Sequence, residues 1–107
     1  MLYVLMGHFL PQIVFSSKEA AEKKLNGCFV PHRYCNVFIE EVPAFGMFPV
    51  GSGTVYVVLD ESHPIGVYGS KRAAKCSIER LGGSDRYELY AVQYEGDGYD
   101  IRYNETK

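Results

Sequence analysis

Cys28, His32 and Cys35 stand at the spacing Cys-x-x-x-His-x-x-Cys, which gathers thiol and imidazole donors within eight residues. Such groups are the preferred ligands of zinc and other soft divalent ions, but a tetrahedral site needs a fourth donor, and Cys76, His63 and His8 are the thiol and imidazoles that remain. The positions 53 residues further on hold Leu81, Asp85 and Glu88, which do not repeat the donor set. Cys28 and Cys35 are therefore expected to be small core residues and His32 a loop residue, with no metal and no other cofactor. A second constellation, Asp60-Glu61-Ser62-His63, holds the residue types of acid–base chemistry. Adjacent residues of a turn do not converge on one substrate atom, so a polar hairpin tip is expected rather than a catalytic site.

Two further groups bear on binding. Ser17-Lys18 and Ser70-Lys71 occupy matched places at the start of two expected helices. Free N–H groups, the helix dipole and a lysine together suit a phosphate or a nucleotide, and this anion-binding module is the alternative reading of the chain. The other group is aromatic: nine tyrosines and six phenylalanines, with Tyr87, Tyr90, Tyr94, Tyr99 and Tyr103 crowded towards the C-terminus. Their acidic neighbours Glu88, Glu95, Asp97 and Asp100 oppose a nucleic-acid backbone, whereas tyrosine in a protein contact buries area at little entropic cost. Gly51-Ser52-Gly53 precedes a strand rather than a helix, the reverse of a dinucleotide or P-loop arrangement.

The elements that position these residues are written twice. A shift of 53 aligns residues 1–42 with 54–95 without a gap and leaves ten identical pairs: Tyr3/Tyr56, Val4/Val57, Pro11/Pro64, Val14/Val67, Ser17/Ser70, Lys18/Lys71, Ala20/Ala73, Ala21/Ala74, Arg33/Arg86 and Tyr34/Tyr87. Each half reads as strand, strand, helix, strand, so the expected fold is α+β, a tandem ββαβ pseudo-repeat with a mainly antiparallel sheet and two helices on one face. Leu2–Met6 and Val55–Leu59 are the opening strands, and Gly7–Pro11 and Asp60–Pro64 the turns. Ser70 is expected to cap the second helix, and Ser16 with Glu19 to form a capping box on the first. The helices end near Gly27 and Gly82-Gly83. Ala74, Ile78 and Leu81 share one helical face, as do Ala21, Leu25 and Cys28. The third strands, Tyr34–Val42 and Tyr87–Glu95, carry apolar residues on both rows, and their core face stays open.

Residues 43–53 carry no charge and read as a linker broken by Pro43, Gly46, Pro49, Gly51 and Gly53, yet Phe45, Met47 and Phe48 are more apolar surface than a solvated tether needs. The acidic tail, 96–107, places Tyr99, Ile101 and Tyr103 at the two-residue period of an edge strand. Two helices cover one face of a six-stranded sheet. The apolar second face is then expected to need another cover: the linker, the tail, a second subunit or a ligand.

A chain of 107 residues that is 47% apolar and 22% charged is one domain with a core of its own. The net charge of −2 supplies no basic field for nucleic acid, and no apolar run is long enough to span a bilayer. Three cysteines, an odd number without Cys-x-x-Cys spacing, fit reduced thiols, and the expected compartment is the cytoplasm.

Val55-Tyr56-Val57-Val58 followed by Ile65-Gly66-Val67-Tyr68-Gly69-Ser70-Lys71-Arg72-Ala73-Ala74 resembles a class of small uncharacterised bacterial and bacteriophage domains, with a V-Y-V-L strand, then I-G-V-Y-x-S-x-x-x-A and a polar helix. The resemblance covers about half of each repeat, and the first copy departs from it at Ile13, where the glycine is missing. It implies a compact α+β domain and no activity; such company suggests a phage or mobile-element origin, and with it an inhibitor or accessory factor that binds a host protein. The expectation is a non-enzymatic binding protein acting through protein–protein contact, with a possible homodimer. Phe45, Met47, Phe48, Tyr90, Tyr94 and Tyr99 are the expected contact residues.

Overall fold

The computed structural model describes residues 1–28, 37–49, 51–83 and 85–96, with the side chains of Gly27 and Cys28 excepted. Nine elements follow in order: β1 (Leu2–Gly7), β2 (Leu10–Phe15), α1 (Lys18–Cys28), β3 (Val37–Val42), β4 (Ala44–Phe45), β5 (Ser52–Asp60), β6 (His63–Tyr68), α2 (Lys71–Arg80) and β7 (Tyr87–Glu95). The fold is α+β, and the seven strands form one sheet in the order β3-β1-β2-β7-β5-β6-β4. Most pairs are antiparallel, whereas β2 with β7 and β4 with β6 run parallel.

Opposite edges of this sheet belong to one stretch of chain. β3 and β4 are the outermost strands, yet Pro43 alone separates them. Residues 37–42 bond to β1, and residues 44 and 45 then pair with Val67 and Tyr68, assisted by the Val67 N–H donating to the Pro43 carbonyl at 3.0 Å. The sheet is therefore drawn into a nearly closed barrel. This removes the need for an outside cover on the second face: that face turns inward and covers itself. Leu2, Val4, Met6, Val14, Val42, Val55, Val57, Leu59, Val67, Val92 and Tyr94 form the interior cluster. Branched side chains suit such a narrow space, and each buried aliphatic contributes about 1.5–3 kcal/mol.

Alternation along the strands sends the other row outward, where the helices lie. Leu5 and Phe15 pack beneath Ala21 of α1, and Val58 and Tyr68 beneath Ala74 of α2. Ala21 and Ala74 are fully buried, so a small side chain stands at each close approach of helix to sheet. Leu81, by contrast, is 48% exposed, because α2 ends at Arg80 and Leu81 is already its C-cap. The Gly83 N–H closes that end on the Ile78 carbonyl at 2.9 Å, with Gly82 and Gly83 at φ of 110° and 60°, a region glycine enters without strain. The third strands resolve in the same way. Tyr90, Val92 and Tyr94 face the interior, while Tyr87 and Leu89 lie under α2; Phe38 and Val42 face inward, and Val37 and Ile39 lie under α1.

Several expected boundaries move. Pro11 and Pro64 stand inside β2 and β6 rather than before them, each at a register shift, Leu5↔Ile13 to Met6↔Pro11 and Val58↔Gly66 to Leu59↔Pro64. The extra residue at each bulge, Gln12 or Ile65, leaves the ladder in step without a proline N–H. The tight turns are His8-Phe9 and Glu61-Ser62, all four residues at positive φ. The expected linker is not a tether, since Ala44–Phe45 is strand and β5 already begins at Ser52. The gapless shift also fails past the helices. Gly7 and Asp60, 53 apart, pair with Val37 and Tyr87, which are 50 apart, and Arg33 and Tyr34 lie outside the described residues. The tail residues Tyr99, Ile101 and Tyr103 lie outside the described residues. No described helix is long and apolar enough to cross a membrane.

Candidate functional site

The apolar residues that follow β3 divide into two groups. Phe45 ends β4 on the outer side of the barrel, 44% exposed, with its ring stacked on Tyr68 at 4.9 Å between centroids. It also lies over Gly66, where an added Cβ would come within 3.1 Å of the ring. Met47 is 89% exposed. Its backbone is nonetheless held, because the Gly69 N–H donates to the Phe45 carbonyl at 3.1 Å and the Met47 carbonyl sits where a side chain on Gly69 would begin. Both glycines of Ile65-Gly66-Val67-Tyr68-Gly69 thus make room for this loop. The chain then turns back: Phe48 is half-buried, tilted against Tyr94 with centroids 5.9 Å apart, and packs on the interior cluster.

Of the expected contact residues, Phe45 and Met47 are exposed. Phe48 and Tyr94 belong to the barrel instead; Tyr94 is 4% exposed and presents nothing to a partner, because the closed sheet places its row inside. Tyr90 is half-buried on the same row, and its hydroxyl donates to Glu88 Oε1 at 3.2 Å. Desolvation, then the bond to Glu88 and its charge, hold the Tyr90 phenol above its ordinary pKa. Tyr99 lies outside the described residues.

The matched serines act as helix caps. Ser17 Oγ accepts the Ala20 N–H and Ser70 Oγ the Ala73 N–H, each at 3.2 Å. The first helix is capped by Ser17, not by a Ser16–Glu19 box, since Ser16 is still tied to the sheet through its N–H on the Glu95 carbonyl. Lys18 lines a cleft of about 470 Å³ with Tyr3, Glu22, Ile39 and Glu41, where two carboxylates outnumber the one ammonium. That balance opposes an anion there. Lys71 lies on the exposed side of α2 in an open cleft of about 460 Å³ shared with Arg72, Lys75, Cys76 and Glu79.

Asp60 and Glu61 of the acid–base constellation bond to Arg86. Arg86 Nε and Nη2 donate to Asp60 Oδ1 and Oδ2 at 2.8 and 3.1 Å, the Glu61 N–H donates to the Arg86 carbonyl, and Glu61 with Ser62 forms the turn itself. His63 is exposed at the head of β6. His32 and Cys35, and the side chain of Cys28, lie outside the described residues; within them, no group of three or more His, Cys, Asp or Glu stands close enough to hold a metal.

Sequence reasoning passed over two features here. One is the buried Tyr68–Ser77 hydroxyl pair, 2.6 Å apart, which ties α2 to β6 directly beneath Phe45; its signal was a serine on the inward face of an otherwise polar helix. The other is the Gly69 contact, whose signal was a glycine where the first half has Ser16. Comparison with known protein families, with curated proteins and with solved structures gives no match to this chain.

Proposed function

We propose that this chain is a small non-enzymatic binding protein that acts through protein–protein contact, with Phe45 and Met47 as the apolar part of its contact surface. The observation that carries the reading is an 89% exposed methionine whose carbonyl packs on Gly69, while the Gly69 N–H bonds the Phe45 carbonyl two residues earlier. An apolar side chain gains about 1.5–3 kcal/mol when a partner buries it. A loop already fixed by β-pairing, ring stacking and the Gly69 contact has little conformational freedom left to lose on binding. Phe48 takes no part; its ring supports the loop from inside.

We also infer that the two halves are copies of one ββαβ unit. What supports this is agreement beyond sequence identity. The hairpin registers Tyr3↔Phe15 and Val4↔Val14 reappear as Tyr56↔Tyr68 and Val57↔Val67, with the bulge at the same place. The parallel pairs Val14↔Tyr94 and Val67↔Ala44 exchange the third strands between halves. The copies differ where the loop packs, with Ile13 and Ser16 in one and Gly66 and Gly69 in the other.

The resemblance to phage domains makes a cytoplasmic host factor the first partner to test. The protein is immobilised, bound material is captured from host lysate, and the captured complex is weighed by light scattering, which separates a foreign partner from a second copy. Met47→Ser and Phe45→Ser are each expected to weaken capture about tenfold or more, the equivalent of one buried apolar side chain. Leu10→Ser, an exposed control in the β1–β2 hairpin, is expected to leave it unchanged. Equal capture by all variants overturns the reading.

A further inference from the structure

Lys71, Arg72 and Lys75 stand on the helix that follows Gly69, the residue on which the Phe45–Met47 loop rests, and their placement runs against the helix that carries them. The helix dipole makes the first turn of α2 a poor place for cations and a good one for carboxylates, yet that turn holds Lys71 and Arg72 and no acid. Lys71 and Lys75, four apart, are a like-charge pair that opposes the helix further. The matching positions of α1 are Lys18, Glu19 and Glu22, with Glu19 in the first turn as the dipole favours. Lys18 opens α1 as Lys71 opens α2, but only α2 lacks an acid in that turn, and a conflict of this kind with local preference is expected where residues serve something other than stability. The second half is also the one in which Gly66 and Gly69 accept the Phe45–Met47 loop, and Lys71 lies two residues beyond Gly69.

We propose that the exposed Phe45 and Met47 and the Lys71-Arg72-Lys75 stripe, joined through Gly69, form one composite docking surface, whose partner is an acidic polypeptide segment that carries an apolar anchor. The inference rests on the reading of Phe45 and Met47 given above and adds the partner's chemistry. Met47 and Phe45 supply the apolar contact, and three cations against the single carboxylate of Glu79 supply the charge in the 460 Å³ cleft on α2. A two-fold dimer through this face would set the three cations of one copy against those of the other, so a second copy is disfavoured there. An extended anionic surface such as a bilayer or a nucleic acid would meet the whole molecule, whose net charge is −2, whereas a short acidic segment meets the local stripe alone.

A displayed library of random twelve-residue peptides, selected on the immobilised protein, tests this. The expected pool is enriched in Asp and Glu next to Phe, Leu, Met or Trp. On the Lys71→Glu/Arg72→Glu/Lys75→Glu variant the acidic enrichment is expected to vanish, and a peptide from the first pool to bind about tenfold more weakly. That binding is also expected to weaken as salt rises. All three residues are exposed, and an unchanged circular dichroism spectrum shows that the variant is folded. A pool without acidic enrichment, acidic enrichment that survives charge reversal, or displacement of the peptide by anionic phospholipid vesicles or by poly(dT) at lower concentration than by free peptide each overturns the inference. Apolar enrichment that depends on Met47 without any acidic preference overturns this inference and leaves the Phe45–Met47 reading standing. A pool indifferent to Phe45→Ser and Met47→Ser overturns both.

Discussion

Replacing Gly69 with alanine puts one methyl group where the Met47 carbonyl now lies. The carbonyl carbon would stand 2.8 Å from the new Cβ, and the oxygen closer still, so the contact cannot be relieved by turning a side chain. The backbone has to move. Forcing a group into a filled space costs about 1–3 kcal/mol. Displacing residues 45–47 also breaks the Gly69 N–H bond to the Phe45 carbonyl, about 0.5–1.5 kcal/mol more. The sum is about 2–4 kcal/mol, which lowers the melting temperature by roughly 10–20 °C in a domain of this size. Position 16, the first-half counterpart, is already serine and faces no such carbonyl, so Ser16→Ala is the matched control. Thermal melts followed by circular dichroism give the stability, and amide hydrogen exchange at Gly69 reports the broken bond. A Gly69→Ala protein that melts within 2 °C of the parent with its Gly69 amide still protected would refute the view that this contact holds the loop in place.

The cationic first turn of α2 makes a second prediction in the opposite direction. Lys71→Glu turns an unfavourable dipole contact into a favourable one and the Lys71–Lys75 repulsion into a Glu–Lys attraction four residues apart. It is expected to raise stability by about 1 kcal/mol at low salt, with the gain fading in 1 M salt, where the screening length is about 3 Å; a loss of stability, or a salt-independent gain, would contradict it. Tyr68→Phe leaves the Ser77 hydroxyl buried without its partner and is expected to cost about 1–3 kcal/mol, and Ser77→Ala to strand the Tyr68 hydroxyl likewise. In the double variant the cost should fall below the sum of the singles, and strict additivity in denaturant melts would break the argument. The Tyr90 phenol, held above its usual value, retains its proton in the folded state after the unfolded chain has lost it. Its contribution is therefore complete below pH of about 10 and is lost as pH rises through the folded value. Absorbance titration of the phenolates, with Tyr90→Phe as reference, is expected to show one late-titrating phenol fewer in the variant, together with a shallower alkaline loss of stability.

How far the site could be read beforehand differs residue by residue. Ser70 was legible as a cap because a serine after an apolar strand and before a polar, alanine-containing helix has one favourable use there, and the Ala73 N–H takes it. Phe45 and Met47 stood out because large apolar side chains in an uncharged Pro/Gly segment have no solvated role. That Phe48, from the same segment, belongs to the core was not legible, since its contact is Tyr94, 46 residues away. Tyr94 itself was misplaced for a related reason: alternation sorts Tyr90, Val92 and Tyr94 into one row without saying which side of the sheet is inside. Lys71, Arg72 and Lys75 are plain in the sequence, but their conflict with the helix dipole has a meaning only once Gly69, two residues before Lys71, is seen to carry the exposed loop.

By itself the amino-acid order determined what nearest neighbours decide: strands with two apolar rows, a turn after each opening strand, serine-started helices with alanines on the sheet side, and the resulting α+β class. These follow from backbone stereochemistry and periodicity within a dozen residues. Only the tertiary structure decided that the sheet closes. Closure depends on Pro43 carrying one strand from the edge beside β1 to the edge beside β6, and on parallel pairs such as Val14 with Tyr94. Those bonds join residues far apart in the chain, so no local pattern encodes them, and the same apolar rows would serve an open sheet that needs a cover or a barrel that supplies its own.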